Sequence, residues 1–471
     1  MTVNVESNFV IVAAVHPAKV VLVVLAHVLV LALYGCESEP SRSDGQRPSV
    51  LLVVADTLRR DHLGAYASTI GASPRIDAFA ASAVVFENAY AQSPSTKPSI
   101  ASLFTSLLPS QHGTIHNYHA LASRFVTLAE VFKASGFETA GFTENPIITA
   151  EFDFDQGFDE YTLYPERHAG SHSASEEFDK AVHDWLGKNS QHPFFLYVHY
   201  ADPHSPYWAP PAYRGRFAKT PGPAGKGLNV NSSSVEDIGE AIAKYDEEIS
   251  YIDDRFGGLL DRLRELDIDD KTIIVFLSDH GEAFGEHGNF HHSHSVYSEL
   301  IDIPLIISAN AKMRAGRRTE ATQHIDILPT LLDLAGIAPS DSDLEASMQV
   351  QGQSLVDSNR TNLDGRRIIS EHLREGWGKR MRSVVSGEYK LIEDLDAGLF
   401  QLFSVETNPG DRTGLDAHAP PEVRKQLVSV LGGFHKAVAD APEIEIDPKV
   451  QSQLRRLGYV DHDEAPVHPG D

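Results

Sequence analysis

Acidic and imidazole side chains stand where apolar segments of this chain stop. One apolar run ends in Asp56, and a second leads into Asp279 and His280. A third run ends shortly before His204. In open α/β sheets, ligand sites form at the carboxyl ends of the strands. Two carboxylates and one imidazole therefore predict a single divalent cation, Mg²⁺, Mn²⁺ or Ca²⁺, rather than a zinc site of the thiolate type.

Each of these residues also has an ordinary structural explanation when it is taken alone. Asp56 could cap the next helix, and Asp279-His280-Gly281 could be a turn that follows a strand. Three apolar runs that all stop at acids or histidines are harder to explain by turns alone. Their shared position favours a common site at one edge of a sheet.

Thr96 offers a hydroxyl group at the start of a segment with helical character. Ile100, Leu103 and Phe104 recur at helical spacing, and Pro98 suits a first helical position. Thr96 is then expected at or just before the helix cap, where hydroxyl side chains are favoured. A helix start also attracts oxyanions, so Thr96 is either a simple cap or a nucleophile facing an anionic ester.

The segment Thr96-Lys-Pro-Ser-Ile-Ala-Ser-Leu-Phe-Thr-Ser106 and the following Leu-Leu-Pro-Ser-Gln-His-Gly113 resemble the sulfatase signature of the alkaline phosphatase superfamily. The resemblance continues through Ser278-Asp-His-Gly-Glu-Ala-Phe-Gly-Glu-His-Gly288 and His324-Ile-Asp-Ile-Leu-Pro329. It covers nearly everything after residue 49. It implies a metal-dependent hydrolase or transferase that cleaves sulfate or phosphate esters, which are anionic substrates.

The resemblance also implies roles for particular residues. The implied metal ligands are Asp56, Thr96, Asp279 and His280. Thr96 matches the nucleophile, and His204 matches a histidine that contacts the transferred group. His292 lies where the family has a lysine or histidine near the leaving group. Other histidines, among them His199 and His324, have structural roles as the simpler explanation.

This sequence departs from the family pattern in ways that affect the expected chemistry. Threonine cannot supply formylglycine, which is made from Cys or Ser, so no formylglycine is expected at Thr96. A threonine ester lacks the release route of an aldehyde hydrate, which slightly favours phosphate esters, as in lipoteichoic acid synthases. Ile100 replaces the family arginine, and Lys97 is the nearest substitute cation. Thr57 stands where a second aspartate is common.

Two alternative functions stay open at this point. The chain could be a true sulfuric ester hydrolase, because the overall resemblance is to sulfatases. It could also be a sulfatase-like lipoprotein that binds a ligand without turning it over. The presence of five residues together favours an enzyme over the binding protein, namely Asp56, Thr96, Asp279, His280 and His204.

The overall charge limits the partners. There are 66 acidic against 40 basic residues, which gives a formal charge of −26. A nucleic-acid partner is not expected, because phosphate binding needs a basic surface. An anionic substrate requires a metal ion and histidines to reverse the field inside the pocket.

The single cysteine, Cys36, follows an apolar run over residues 20–34. That run is short for a membrane span, which needs about 20 residues, and it suits the core of a signal peptide. Leu33-Tyr34-Gly35-Cys36 resembles a bacterial lipobox. We therefore expect lipid attachment at Cys36 and a cell-envelope location facing the periplasm or exterior, with an uncleaved anchor helix as the alternative.

The order of apolar runs and amphipathic segments predicts an α/β fold. A large mixed, mostly parallel sheet flanked by helices is expected first, and then a small C-terminal antiparallel sheet with a helix. The predicted divisions are a signal peptide at 1–35, a tether at 36–48, a catalytic domain at 49–337, a linker at 338–365, an α+β subdomain at 366–460 and an acidic tail at 461–471.

Overall fold

The computed structural model describes residues 47–164, 173–220, 234–309, 312–338, 348–356, 366–376, 378–406, 410–411, 414, 420–434, 438–444 and 454. From Arg47 onward the chain forms one compact unit. Cys36, the predicted signal peptide, residues 36–46 of the predicted tether and the acidic tail lie outside the described residues, so the expectations for them stay predictions. Within the described ranges, no helix has both the length and the apolar composition to cross a membrane.

The β-strands are short to medium in length. In chain order they are β1 (Ser49–Ala55), β2 (Val84–Phe86), β3 (Ala89–Tyr90), β4 (Glu138–Thr143), β5 (Glu160–Leu163), β6 (Phe194–Tyr200), β7 (Thr272–Ser278), β8 (Ala283–Phe284), β9 (Phe290–His291), β10 (Asp302–Ile303), β11 (Leu305–Ser308), β12 (Gly316–Arg318), β13 (Thr322–Gln323), β14 (Ile368–His372), β15 (Met381–Ser386), β16 (Tyr389–Asp394) and β17 (Leu399–Ser404).

The helices alternate with these strands. In chain order they are α1 (Pro74–Ala80), α2 (Thr96–Thr105), α3 (Pro109–His112), α4 (Leu128–Ala134), α5 (Ser173–Asn189), α6 (Val235–Glu265), α7 (Ser298–Ile301), α8 (Ile327–Ala335) and α9 (Pro421–Gly433). Short 3₁₀ turns lie at Arg60–His62, Gly64–Tyr66, Ala150–Phe152, Asp269–Lys271, Glu286–Gly288 and His324–Asp326.

The main sheet has eight strands in the order β12-β2-β11-β7-β1-β6-β4-β5. Only the two pairings of β11, with β7 and with β2, are antiparallel, and the other pairings are parallel. A separate four-stranded antiparallel sheet runs β14-β15-β16-β17. The predicted fold class, a large mostly parallel sheet followed by a small antiparallel one, is confirmed.

Strand β1 lies at the centre of the main sheet and is buried on both faces. Val50, Leu52 and Val54 point into a core that α2, α4 and α8 cover. The alternate residues Leu51 and Val53 point into a second core formed with α5 and α6. A strand covered by helices on both sides is continuously apolar, because successive side chains point to opposite faces.

The small sheet completes the structure around the start of α2. Its Ile368 and Met381 belong to the same core as the central strand, while its other face packs on α9. Ser370 Oγ donates to the Ala91 carbonyl at 2.7 Å, and the Glu371 N–H donates to the Gln92 carbonyl at 2.8 Å. The segment that leads into Thr96 is therefore fixed by the C-terminal part of the chain.

Candidate active site

The register of the central strands places two carboxylates side by side. Ala55 at the end of β1 pairs with Ser278 at the end of β7, in a parallel ladder. Asp56 and Asp279 are the next residues on these two strands. Because the strands run in the same direction, both carboxylates emerge at the carboxyl edge of the sheet, where the sequence predicted a site.

Asp56, Asp279 and His280 form a buried cluster. One ligand atom from each lies within 4.8 Å of the others, and no other group of three acids, histidines or cysteines meets that condition in the described part of the chain. Asp56 Oδ1 and Asp279 Oδ2 are buried without a hydrogen-bond donor among the described residues. Buried carboxylate oxygens left unpaired are costly, so this donor set fits a cation.

The backbone around His280 determines which ring nitrogen faces the cluster. His280 Nδ1 lies 2.9 Å from the Gly281 carbonyl, an acceptor that requires a proton on Nδ1. Nε2 then presents its lone pair, 3.4 Å from Asp279 Oδ2 and 3.2 Å from Thr96 Oγ1. This arrangement suits a metal ligand, since a carbonyl on one nitrogen orients the other.

Thr96 lies at the first residue of α2 rather than at its cap. The cap is Ser95, so the helix begins about two residues earlier than the position of Pro98 suggested. Proline is tolerated throughout the first turn of a helix, because the N–H groups there lack partners within the helix. Ser99 Oγ donates to the Asp279 carbonyl at 2.6 Å and thereby ties the first turn of α2 to the end of β7.

A strained loop joins the end of β1 to the same cluster. Thr57 has a φ of 60°, an unusual value for a β-branched residue, and its N–H donates to Asp279 Oδ1 at 3.0 Å. Tyr245 of α6 holds this loop, since its hydroxyl donates to the Thr57 carbonyl at 2.7 Å and accepts from Arg59 N–H at 2.8 Å. Strain of this kind persists where surrounding contacts enforce it.

The two carboxylates differ in their acidity. Burial and then the neighbouring Asp279 charge raise the pKa of Asp56 well above its usual value. Burial opposes ionisation of Asp279 as well, but His280, His199 and the Thr57 N–H keep the pKa of Asp279 below its usual value. The metal-free cluster thus holds its negative charge mainly on Asp279, and a cation would favour ionisation of both.

Two histidines line the same cavity beyond the carboxylates. The His292 ring lies 4.6 Å from the His280 ring and 4.9 Å from the His204 ring, measured between centroids. Burial lowers the pKa of His204 to about 3, and burial and His280 lower the pKa of His292. The His292 side chain is 11% exposed, so it lies closer to solvent than the carboxylates.

The loop that carries His204 is anchored by a buried ion-pair network. Arg255 of α6 makes hydrogen bonds of 2.9 and 3.0 Å to Glu144 and one of 3.2 Å to Asp202. Glu144 also accepts from the Ala201 N–H at 3.0 Å. Helix α6 therefore positions both the loop after β1, through Tyr245, and the loop after β6.

Three further residues of the site were not predicted from the sequence. Asn145 donates to Asp56 Oδ2 at 2.6 Å, and His199 Nε2 lies 3.6 Å from the same oxygen. Glu282 Oε1 lies 3.0 Å from His292 Nδ1. Asn145 follows β4 by two residues, so the rule that locates sites at strand ends would have found it. No comparable signal distinguishes His199 within the strand β6.

Comparison with known proteins identifies the family. The Sulfatase family model matches residues 48–337. The chain belongs to the sulfatase family of the alkaline phosphatase superfamily. It is 22% identical over 534 residues to the N-acetylglucosamine-6-O-sulfatase of Bacteroides thetaiotaomicron, with 91% of this chain and 93% of that protein covered. This sulfatase-family chain is accordingly a hydrolase of the ester-cleaving class.

Solved structures of other proteins share the fold of this sulfatase-family chain. One, in complex with its substrate D-glucosamine-2-N,6-O-disulfate, has a TM-score of 0.67 at 19% identity and covers 83% of this chain and 98% of its own. The phosphonate monoester hydrolase of Agrobacterium radiobacter has a TM-score of 0.67 at 20% identity, with 82% and 95% covered.

Lys97 lies in a different environment from the other predicted site residues of this sulfatase-family chain. Its ammonium donates to the carbonyls of Asn117 at 2.6 Å and His119 at 3.0 Å, and it lies 3.0 Å from the centroid of the Phe152 ring. Burial, and then the Arg374 charge, lower the pKa of Lys97 well below its usual value. These contacts show Lys97 fastening the 117–119 loop to α2, and its catalytic role stays a prediction.

Proposed function

We propose that this protein is a metal-dependent hydrolase or transferase that cleaves phosphate esters through a covalent Thr96 intermediate. The observation that supports this most directly is the position of the Thr96 hydroxyl. Its Oγ1 lies 3.2 Å from His280 Nε2, at the first residue of a helix and beside two buried carboxylates. Phosphoryl transfer needs mainly positioning and charge stabilisation, which this arrangement offers.

Asp56, Thr96, Asp279 and His280 would hold one divalent metal ion. Such an ion lowers the pKa of a bound hydroxyl and neutralises charge on the ester oxygens. Ca²⁺, Mg²⁺ and Mn²⁺ are the candidates.

The residues of the chain then have distinct parts in two steps. Thr96 Oγ, its proton lost to solvent, forms a bond to phosphorus while the bond to the leaving oxygen breaks, and the His292 imidazolium gives that oxygen a proton. The negative charge of the bound ester favours this imidazolium form. Water or an acceptor alcohol next attacks phosphorus, gives its proton to His292 and releases Thr96. His204 and the N–H groups at the start of α2 stabilise the charge on the ester oxygens.

Sulfate esters are the rival substrate class. The curated relatives favour them, among them the N-acetylglucosamine-6-O-sulfatase described above, and another relative is a choline-sulfatase from Rhizobium meliloti, 24% identical. A sulfated sugar would fit the same anionic-ester chemistry. We favour phosphate esters as substrates because a sulfate ester of threonine lacks the route by which the formylglycine hydrate of sulfatases releases sulfate.

The test is to compare kcat/KM for a matched aryl phosphate, phosphodiester and sulfate after loading with Mn²⁺, Mg²⁺ or Ca²⁺. Thr96→Ala should abolish turnover while retaining the fold, and mass spectrometry should show an unmodified Thr96 peptide. A higher kcat/KM for the sulfate, or full activity in Thr96→Ala, would overturn the proposal. Lack of turnover of every ester would favour the binding lipoprotein instead.

The location is a separate proposal. We propose that Cys36 carries a lipid that holds the protein at the bacterial cell envelope, facing the periplasm or exterior. The support is the lipobox-like Leu33-Tyr34-Gly35-Cys36 after an apolar run.

A further inference from the structure

Glu282 is a buried acid that the proposed steps do not use. It lies in the loop between β7 and β8, two residues after His280, and its side chain is completely buried. Isolated ionised carboxylates are rarely buried without partners, because the transfer from water is costly. The partners of Glu282 therefore indicate why an acid is retained in this position.

Both carboxylate oxygens of Glu282 face groups from the catalytic loops. Oε1 lies 3.0 Å from His292 Nδ1, and Oε2 accepts from the Tyr207 hydroxyl at 3.0 Å. Tyr207 lies three residues after His204, in the loop that follows β6. Glu282 thus connects the loop of His204 to the loop of His292, and the two rings lie 4.9 Å apart.

The backbone of Glu282 is itself fixed. Its carbonyl accepts from Arg59 Nη1 at 3.0 Å, and the other bonds of that guanidinium go to Asp61 and Glu286. Arg59 follows Asp56 by three residues. The acid that contacts His292 is therefore tied to the same strand end that carries the first carboxylate of the site.

We infer that Glu282 is a positioning residue that holds His292 with Nδ1 protonated and Nε2 directed at the reacting ester. A carboxylate only accepts, so the nitrogen it contacts carries the proton, and Nε2 becomes the atom that exchanges protons with the ester oxygen. This inference rests on the proposed function. With the anionic ester bound, the ring carries protons on both nitrogens, and the Nε2 proton passes to the leaving oxygen in the first step. Water returns a proton to Nε2 in the second step.

The test compares two esters with different leaving groups. If Glu282 had only a structural role, its replacement would lower kcat equally for both esters. In Glu282→Gln, the loss of kcat for a phenyl ester should exceed the loss for the 4-nitrophenyl ester by a factor of about ten or more. The reason is that phenol is the poorer leaving group and depends on protonation, whereas 4-nitrophenolate leaves without it. KM should change little. Glu371→Gln is the matched control, since Glu371 is a buried glutamate that binds Arg382 and the Ser110 N–H. It should change both rates by the same factor.

Equal losses on the two esters in Glu282→Gln would overturn the inference while leaving the proposed function intact. If the wild-type protein turned over neither ester, the proposed function would fail. A second measurement needs neither turnover nor a Glu282 variant: ¹⁵N NMR of histidine-labelled protein, with His292→Gln to assign the signal. A protonated Nδ1 would support the inference, and a neutral ring with its proton on Nε2 would overturn it.

Discussion

Replacing Asp279 with asparagine should show how much the charge of this carboxylate contributes to metal binding. Asparagine keeps the size of the side chain and an oxygen that can accept from the Thr57 and His280 N–H groups, at 3.0 and 2.8 Å in the wild type. It removes one negative charge from a completely buried position. We therefore expect Asp279→Asn to weaken metal binding strongly while leaving the metal-free fold intact.

The magnitude follows from the charges present. Asp56 and Asp279 together balance a divalent ion, and Thr57 adds no charge, so the variant leaves one positive charge uncompensated in a buried site. Removing one partner of a buried charge pair costs about 3–5 kcal/mol. That corresponds to an increase of about 10²- to 10⁴-fold in the Kd of the metal.

In the metal-free protein, the charge on Asp56 should have the opposite effect on stability. Burial and then the repulsion between the two carboxylates raise the pKa of Asp56. A carboxyl group whose pKa is raised by folding opposes folding when it is ionised, so Asp56→Asn should stabilise the metal-free fold at neutral pH. Asp279→Asn should not, because the pKa of Asp279 is held below its usual value and its ionised form favours the fold. Added metal should raise the Tm of the wild type and have little effect on Asp279→Asn.

Isothermal titration calorimetry with Mn²⁺ and urea unfolding without metal measure the two effects. Asn145→Ala is a useful comparison, because it removes a hydrogen bond to Asp56 without removing a charge. Wild-type Mn²⁺ affinity in Asp279→Asn would refute the assignment of the metal ligands. A metal-free Asp56→Asn variant less stable than the wild type would refute the account of repulsion.

Three further changes test other parts of the structure. Arg255→Met leaves three buried or partly buried carboxylates uncompensated and should lower the free energy of unfolding by about 3–5 kcal/mol in urea titrations. His287 contacts Glu299 Oε1 and the Asp411 carbonyl, each at 2.9 Å, and these bonds raise its pKa against the opposing effect of burial. A histidine whose pKa is raised by folding stabilises the folded state fully below pH 6.5, and this stabilisation is lost as the pH rises through the pKa of the folded state. His287→Gln should therefore flatten the dependence of the free energy of unfolding on pH above pH 6.5. Cys36→Ser should release the protein from membranes or leave an uncleaved precursor in cell fractionation, and unchanged retention and processing would exclude the lipid anchor.

The sequence predicted the elements whose apolar pattern is strong. The central strands β1, β6 and β7 are continuously apolar because both faces are buried, and each ends near a charged or imidazole side chain. Strand direction alone then predicted that Asp56 and Asp279 meet. Apolar residues between Ile238 and Leu266 mostly recur at steps of three and four, a spacing that predicts one long amphipathic helix, and α6 is observed over Val235–Glu265.

Contacts between distant segments could not be predicted in the same way. The hydrogen bonds from Tyr245 to the Thr57 loop and from His292 to Glu282 depend on how loops fold over the edge of the sheet. Neither partner has a pattern that indicates the other. The environment of Lys97 is a similar case, because a lysine beside the nucleophile gives no sign that its ammonium turns toward the 117–119 backbone.

The shared core has a consequence for the order of folding. The family match ends at residue 337, yet Ile368 and Met381 belong to the core of the central strand, and β14 binds the backbone at 91–92. A chain made from its N-terminus cannot fix the segment before Thr96 until roughly the next fifty residues have been added. Nascent or truncated molecules that lack β14 and β15 should therefore expose apolar surface and lack activity.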